Sequence, residues 1–195
     1  MKTLVIILFT SYFALPGQGI AQTLLYNIFV ANKQAGSMLI RAHKQDAQNF
    51  SVHSETNISV AFSKAHSVLR AQYQDGQLHK ASMIQKVNDK VRESSEVVRS
   101  GDQYHITIKG EEDVILKRDV IYSVALLYHV EPKDKKAVFS ERFGVFCPIK
   151  EVEPSKYEME MPDGKKVYYT YNNGICTQMR TKQMMMEVRF ELAQR

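Results

Sequence analysis

The sequence predicts a mainly β fold: a strongly bent antiparallel meander sheet, an open or half barrel, with one short helix on its concave side. Three observations carry this. Apolar and polar residues alternate with period 2 over most of the chain, turn dipeptides separate the alternating runs, and one late stretch has helical spacing instead.

The first residues are Lys2, an apolar run from Leu4 to Leu15, Pro16 and Gly17, then the small residues Gly19 and Ala21. That is the pattern of a secretory leader cleaved after Ala21, so residues 1–21 are expected to be a signal peptide and residues 22–195 one antiparallel β domain. The apolar run falls short of the roughly 20 residues a spanning helix needs, and Pro16 closes it. No transmembrane anchor is therefore expected after cleavage. No cysteine stands at the cleavage point to carry an acyl chain. The expected location is the periplasm or the medium.

Strands follow from Leu24 onward. In the opening run Leu24, Tyr26, Ile28 and Val30 oppose Leu25, Phe29 and Ala31, apolar on both sides, so this strand is expected to be central or covered on both faces. Tyr157, Met159 and Met161 alternate with Glu158 and Glu160. Met184, Met186, Val188, Phe190 and Leu192 alternate with Glu187, Arg189 and Glu191. Such strands have one dry and one wet face. Between Ser63 and Arg99 polar residues crowd out large apolar ones, so this part of the sheet is expected to run beyond the core into solvent. Asp75-Gly76, Asp163-Gly164 and Asn173-Gly174 supply the positive φ that tight hairpins demand, and Asn88-Asp89 and Gly101-Asp102 read the same way.

The break in the β pattern runs from Asp119 to Val130, where Ile121, Val124, Ala125, Leu127 and Tyr128 recur at helical spacing. Asp119 can cap the start, and Pro132 prevents continuation. The β-branched Val120, Ile121 and Val124 leave a buried strand as the alternative. As a helix, the segment sets Leu127 and Tyr128 against the sheet and Leu126 off the stripe, where it lines a cavity mouth or contacts a partner. Leu126, Leu127 and Tyr128 are the candidate ligand contacts.

Chemistry-bearing patterns are sparse. Lys and Arg number 26 against 21 Asp and Glu, a formal charge of +5, of which the leader holds only Lys2. No cluster of basic residues marks a nucleic-acid partner; Lys133, Lys135 and Lys136 are interrupted by Asp134. His43, His53, His66, His79, His105 and His129 form no H-x-H or H-x-x-x-H pair, so they predict no metal site. Met184 and Met185 are consecutive and must point to opposite faces of a strand, which favours core filling over copper binding by Met179 and Met184–Met186. Glu158 and Glu160 share a face at i, i+2, about 7 Å apart, without sugar-stacking aromatics nearby. No G-x-S-x-G elbow or phosphate loop is present, and no cofactor is expected. Cys147 and Cys176 sit in an expected oxidising compartment, which invites a disulfide. A plain meander would hold them three strand spacings apart, about 14 Å, beyond reach; curvature or a crossover would bring them together. Both outcomes remain open at the level of sequence.

The residues Ser123-Val-Ala-Leu-Leu-Tyr128, Val138-Phe-Ser-Glu-Arg-Phe-Gly144, Tyr157 through Pro162-Asp-Gly164, Tyr168-Tyr-Thr-Tyr171 and Asn173-Gly-Ile-Cys176 resemble a group of uncharacterised exported bacterial proteins. That group is similar to domain-of-unknown-function relatives of the lipoprotein carriers LolA and LolB and of the pigment enzyme VioE. The resemblance implies a bent antiparallel sheet closed on its concave side by helical segments. Carriers of that fold hold acyl chains in an apolar hollow, and VioE acts there on an aromatic intermediate. The implied partner is a lipophilic small molecule or a lipidated protein. Two rival expectations are an interaction module pairing through a polar edge strand between Ser63 and Arg99, and an enzyme of the VioE kind.

Overall fold

In the computed structural model the described residues are 20–183 and 186–195. The expected leader lies outside them, apart from Ile20 and Ala21, which form the start of the first strand opposite Lys44 and His43. Met184 and Met185 lie outside them as well.

Alternation builds strands throughout. The first half of the chain forms β1 (Ile20–Val30), β2 (Lys33–Lys44), β3 (Phe50–Val60), β4 (Ser63–Gln74), β5 (Gln77–Val87), β6 (Lys90–Ser100), β7 (Gln103–Ile108) and β8 (Val114–Leu116). The second half forms β9 (Ala137–Ser140), β10 (Val145–Glu153), β11 (Lys156–Glu160), β12 (Lys166–Asn172), β13 (Ile175–Gln183) and β14 (Met186–Gln194). They make one 14-stranded antiparallel sheet in the order β8-β7-β6-β5-β4-β3-β2-β1-β14-β13-β12-β11-β10-β9. Two meanders are thus joined where β1 pairs with β14, and β8 and β9 remain as edges, so the sheet curls without closing.

The opening strand is central, as its composition predicts, with Leu24, Tyr26 and Ile28 fully buried and Leu25 and Phe29 half-buried on the other side. The same alternation buries Met38, Ile40 and Ala42 on β2 and Val167, Tyr169 and Tyr171 on β12. Hairpins form where positive φ is available: Asp75 and Gly76 at 51° and 73°, Asn173 and Gly174 at 51° and 76°, Gly164 at 77°. Ala31 and Ala61 also adopt φ of 48°, at turns that carry no comparable signal.

The polar stretch from Ser63 to Arg99 covers β4, β5 and most of β6. β4 is exposed or half-buried from Ser63 to Arg70 and buries Ala71 and Tyr73 only near its far end. The sheet therefore outruns the core at the end bearing the turns at 61–62 and 88–89. These strands are paired on both sides, so the expected polar edge strand is not there; the edges are β8 and β9.

The segment between β8 and β9 links one edge of the sheet to the other across its concave side. Here the predicted helix is not formed. Among the described residues its helical content is one 3-10 turn, Val124–Leu126, with an uncapped Ser123 in extended conformation before it. The reason lies in where its backbone groups bond. Leu78 N–H donates to Val120 O at 2.8 Å, Phe139 N–H to Tyr122 O at 3.2 Å, and Cys176 N–H to Tyr128 O at 3.2 Å. Tyr171 Oη donates to Leu127 O at 2.7 Å, and Tyr122 Oη donates to Val130 O. The sheet supplies the partners an α-helix would have supplied internally, and the β-branched residues favour that exchange. Ile121, placed on the apolar stripe by helical spacing, is 56% exposed.

Candidate functional site

The bent sheet and the crossing segment divide the interior into two ends. At the end bearing the turns at 75–76 and 173–174, the segment plugs the barrel with Val120, Ala125 and Leu127, all at most 1% exposed. At the opposite end, ringed by the turns at 61–62, 88–89 and 162–165, a hollow of about 350 Å³ remains. Its apolar wall draws Met38, Leu69 and Met83 from one meander and Met159, Met179 and Phe190 from the other. That both halves of the sheet face one space is the direct sign of the curl.

Of the three candidate contacts, Tyr128 lines the hollow; Val124 joins it from the same segment. Leu126 and Leu127 do not line it. They are packed in the plug at 7% and 0% exposure, so Leu126 is not at a mouth. The 100° step per residue that separated Leu126 from Leu127 belongs to an α-helix, and this segment is not one.

Cys147 on β10 and Cys176 on β13 are held apart by β11 and β12, and both are buried free thiols. No bridge is formed. Burial pushes the Cys147 thiol up to about 11 and the Cys176 thiol up to about 12. The meander keeps its plain spacing here, and curvature does not bring the strands together. Glu158 is paired with both Lys150 at 3.3 Å and Lys166 at 3.0 Å, and its hydrogen bond from Lys166 holds its carboxyl below the ordinary range.

A polar group that the sequence reading passed over stands in the wall of the hollow. Glu141, in the turn between β9 and β10, is 1% exposed. Its Oε1 accepts hydrogen bonds from Ser123 Oγ and, at 3.1 Å, from the Ala125 N–H. Ser123 Oγ lies 2.6 Å from Tyr73 Oη, and Ser95 Oγ donates to the Glu141 carbonyl at 2.6 Å. The turn is held against β7 by Gly144, at φ 63°, where an added Cβ would come within 2.5 Å of Ile106 Cγ2. Burial pushes the Glu141 carboxyl pKa up, which favours the neutral acid. The available signal was a lone acid inside the apolar run Val138 to Phe146, beside Ser123 in the plug.

At the rim the charges are paired, Arg142 with Glu93 and Lys165 with Asp163. Rim ion pairs, an apolar belt and one buried acid thus border the same space. Among the described residues no three metal-ligating side chains converge.

A sequence profile described as "Domain of unknown function (DUF6134)" matches residues 26–193. The chain belongs to this family. The family's span takes in all of both meanders except the ends of β1 and β14, and therefore the plug and the whole hollow. No curated protein matches the chain. Among solved structures it is similar to the β-barrel-like protein of domain of unknown function DUF1849 from Brucella abortus, at 10% identity and a TM-score of 0.54. That similarity covers 88% of this chain and 95% of the other. At this identity the likeness is one of fold, a β-barrel-like antiparallel sheet.

Proposed function

We propose that this is an exported envelope protein that binds a lipophilic ligand, or the lipidated end of a partner protein, in the hollow of its open barrel. The supporting observation is a space of about 350 Å³ walled by methionines from both meanders and blocked at its inner end by a fully packed plug. Such a volume lies at the lower end of ligand pockets, which fits one slender apolar chain or ring system better than a lipid with several tails. Methionine is flexible and polarisable, so a wall of it adapts to varied apolar shapes. The resemblance to lipoprotein carriers points the same way, by analogy of fold.

Native mass spectrometry of the protein released gently from its compartment tests the reading. The expected result is a chain beginning at Gln22 with a co-purified apolar molecule. Recovery of intact chain from Met1 in the membrane fraction would overturn export, and failure of the purified protein to take up any lipophilic probe would overturn binding.

An enzyme of the VioE kind is a second reading, favoured by the polar group of Tyr73, Ser123 and Glu141. Turnover of an aromatic substrate that is lost in Ser123→Ala would support it over the first.

A further inference from the structure

Phe62 is 100% exposed, while no other exposed large apolar side chain among the described residues exceeds 56%. It stands at the tip of the hairpin joining β3 to β4, where the sheet outruns the core. Ile58 is the last residue of β3 in the wall of the hollow, so the tip projects about 10 Å past the mouth. The turn carries no Gly, Asn or Asp, and Ala61 takes φ 48° there. It is held instead by Asn88 of the next hairpin, whose Oδ1 accepts the Lys64 N–H and whose own N–H donates to Lys64 O, both at 2.8 Å. A fixed backbone thus presents a bare aromatic ring. Positive charge surrounds it. Lys33 opens the adjacent strand β2, Lys64 lies two residues past Phe62, and Lys86 and Lys90 flank the turn of the β5–β6 hairpin. All four are exposed, and none is ion-paired among the described residues. Lys64 and Lys86, with His66, also line an outer-face depression of about 450 Å³ beside the tip. Asp89 is the acid within these turns. Elsewhere at this end Glu93, Asp163 and Glu187 are ion-paired, and Glu160 on β11 and Glu111, Glu112 and Asp113 before the edge strand β8 stand away from the tip.

We propose that this end of the molecule docks reversibly on an anionic lipid surface, with Phe62 entering the interface and Lys33, Lys64, Lys86 and Lys90 meeting the headgroups. Area decides between a lipid and a protein partner. One phenylalanine buries about 150–250 Å², whereas a stable protein interface takes about 800 Å² from each partner and a complementary shape. A fluid bilayer needs no matching surface, and one apolar anchor joined to a basic patch holds a protein to it reversibly. A tip seated about 5–10 Å deep brings the mouth of the hollow to the membrane surface. A lipophile then passes between bilayer and hollow without crossing water. The docking surface goes beyond the binding reading and does not depend on it, since Phe62 and the four lysines do not line the hollow.

The chain contains no tryptophan, so Phe62→Trp supplies a single fluorescent reporter at the tip. Asp102→Trp, on an exposed hairpin turn at the plugged end, supplies its control. The exported protein is mixed with vesicles of phosphatidylglycerol and phosphatidylcholine in equal parts, and with vesicles of phosphatidylcholine alone. Emission from Phe62→Trp should shift to the blue on the anionic vesicles and be quenched by lipid brominated on its acyl chains, while emission from Asp102→Trp stays as in buffer. In flotation, Phe62→Ser should weaken partitioning onto the anionic vesicles about 10-fold. Lys64→Gln and Lys90→Gln should each weaken it about 5-fold, and raised salt should erase their effect. Phe62 makes no packed contact, so Phe62→Ser should fold as the parent does, which circular dichroism checks. Absence of binding to the anionic vesicles, equal binding to both vesicle types, or partitioning unchanged by Phe62→Ser overturns the docking surface. A dimer in sedimentation that Phe62→Ser abolishes, without vesicle binding, assigns the tip to a second copy of the chain instead. Uptake of a lipophilic probe in the absence of vesicles reads the binding reading separately, so either can fail without the other.

Discussion

The two ends of the barrel are built from the same strands with the same alternation, yet one is solid and the other hollow, and the difference is tyrosine against methionine. At the plugged end the inward positions include Tyr26, Tyr73, Tyr104 and Tyr171, each with its hydroxyl on the crossing segment or its neighbours: Tyr26 Oη on Cys176 O at 2.7 Å, Tyr73 Oη on Ser123 Oγ at 2.6 Å, Tyr104 Oη taking the Val120 N–H at 3.3 Å, Tyr171 Oη on Leu127 O at 2.7 Å. An irregular segment can be buried only if its backbone groups find partners, and the tyrosines supply them while their rings fill space. At the open end the inward positions include Met38, Met83, Met159 and Met179 beside Tyr128 and Tyr169, and the methionines make no polar demand and leave room. Packing order therefore follows the side chains rather than the sheet.

The largest effect expected from this contrast is at Leu127. It is fully buried beneath the tyrosine layer. Leu127→Asp would place an unpaired charge there at a cost of several kcal/mol, against a total stability of about 5 to 15. The variant should be unfolded by circular dichroism at room temperature. A cooperative thermal transition close to the parent's would mean that the plugged end is not the stable end.

A second effect concerns His129, also at the plugged end. Its Nδ1 is 3.1 Å from Gln22 Oε1, its Nε2 is buried, and burial, with Lys44 nearby, depresses its pKa from the ordinary 6.5 to about 4. The folded protein thus holds the neutral ring. Stability from this group is present above the unfolded pKa and is lost as pH falls from 6.5 towards 4. Over that window the stability difference between the parent and His129→Gln should change by about 3 kcal/mol in the variant's favour. Urea midpoints at both ends of the range measure it, and a constant difference would show that His129 titrates as an exposed histidine does.

How far the sequence foretold these two ends depends on what each rests upon. The strands, their wet and dry faces and the Asp-Gly and Asn-Gly hairpins were legible, because period-2 alternation and positive φ are local properties. The crossing segment was not. Leu127 and Tyr128 continue a helical spacing, but their carbonyls are bonded by Tyr171 and Cys176, and no local pattern reports a bond to a residue tens of positions away. Glu141 escaped for the same reason. Its neighbours Ser123, Tyr73 and Ser95 come from three other parts of the chain, so the site exists only after the sheet has curled.

The tyrosine latches allow a narrower comparison. Tyr171→Phe keeps the ring and removes one hydroxyl, leaving Leu127 O buried without its donor, at a cost of about 1–3 kcal/mol. The equivalent loss has no counterpart among the methionines of the open end. A Tyr171→Phe urea midpoint equal to the parent's would show that the latch adds no stability beyond the packing of the ring.

The smallest effect is expected in the wall of the hollow and is the sharpest measure of the contrast. Met83 is 6% exposed by surface, but one side of it faces the hollow rather than packed atoms. Truncation in a sealed core costs about 2–5 kcal/mol, because the lost transfer energy is joined by the cavity left behind, and Leu127→Ala should fall in that range. At Met83 part of that cavity already exists, so fewer dispersion contacts are forfeited and the loss should sit at or below the bottom of the range, about 2 kcal/mol or less. Removing the side chain also widens the hollow beside Leu69 and Met159. Met83→Ala should therefore fold with a urea midpoint lowered less than that of Leu127→Ala and accept a bulkier apolar probe more tightly than the parent does. If Met83→Ala instead loses as much stability as Leu127→Ala, the two ends are equally packed, and the contrast between a latched end and a receptive one does not hold.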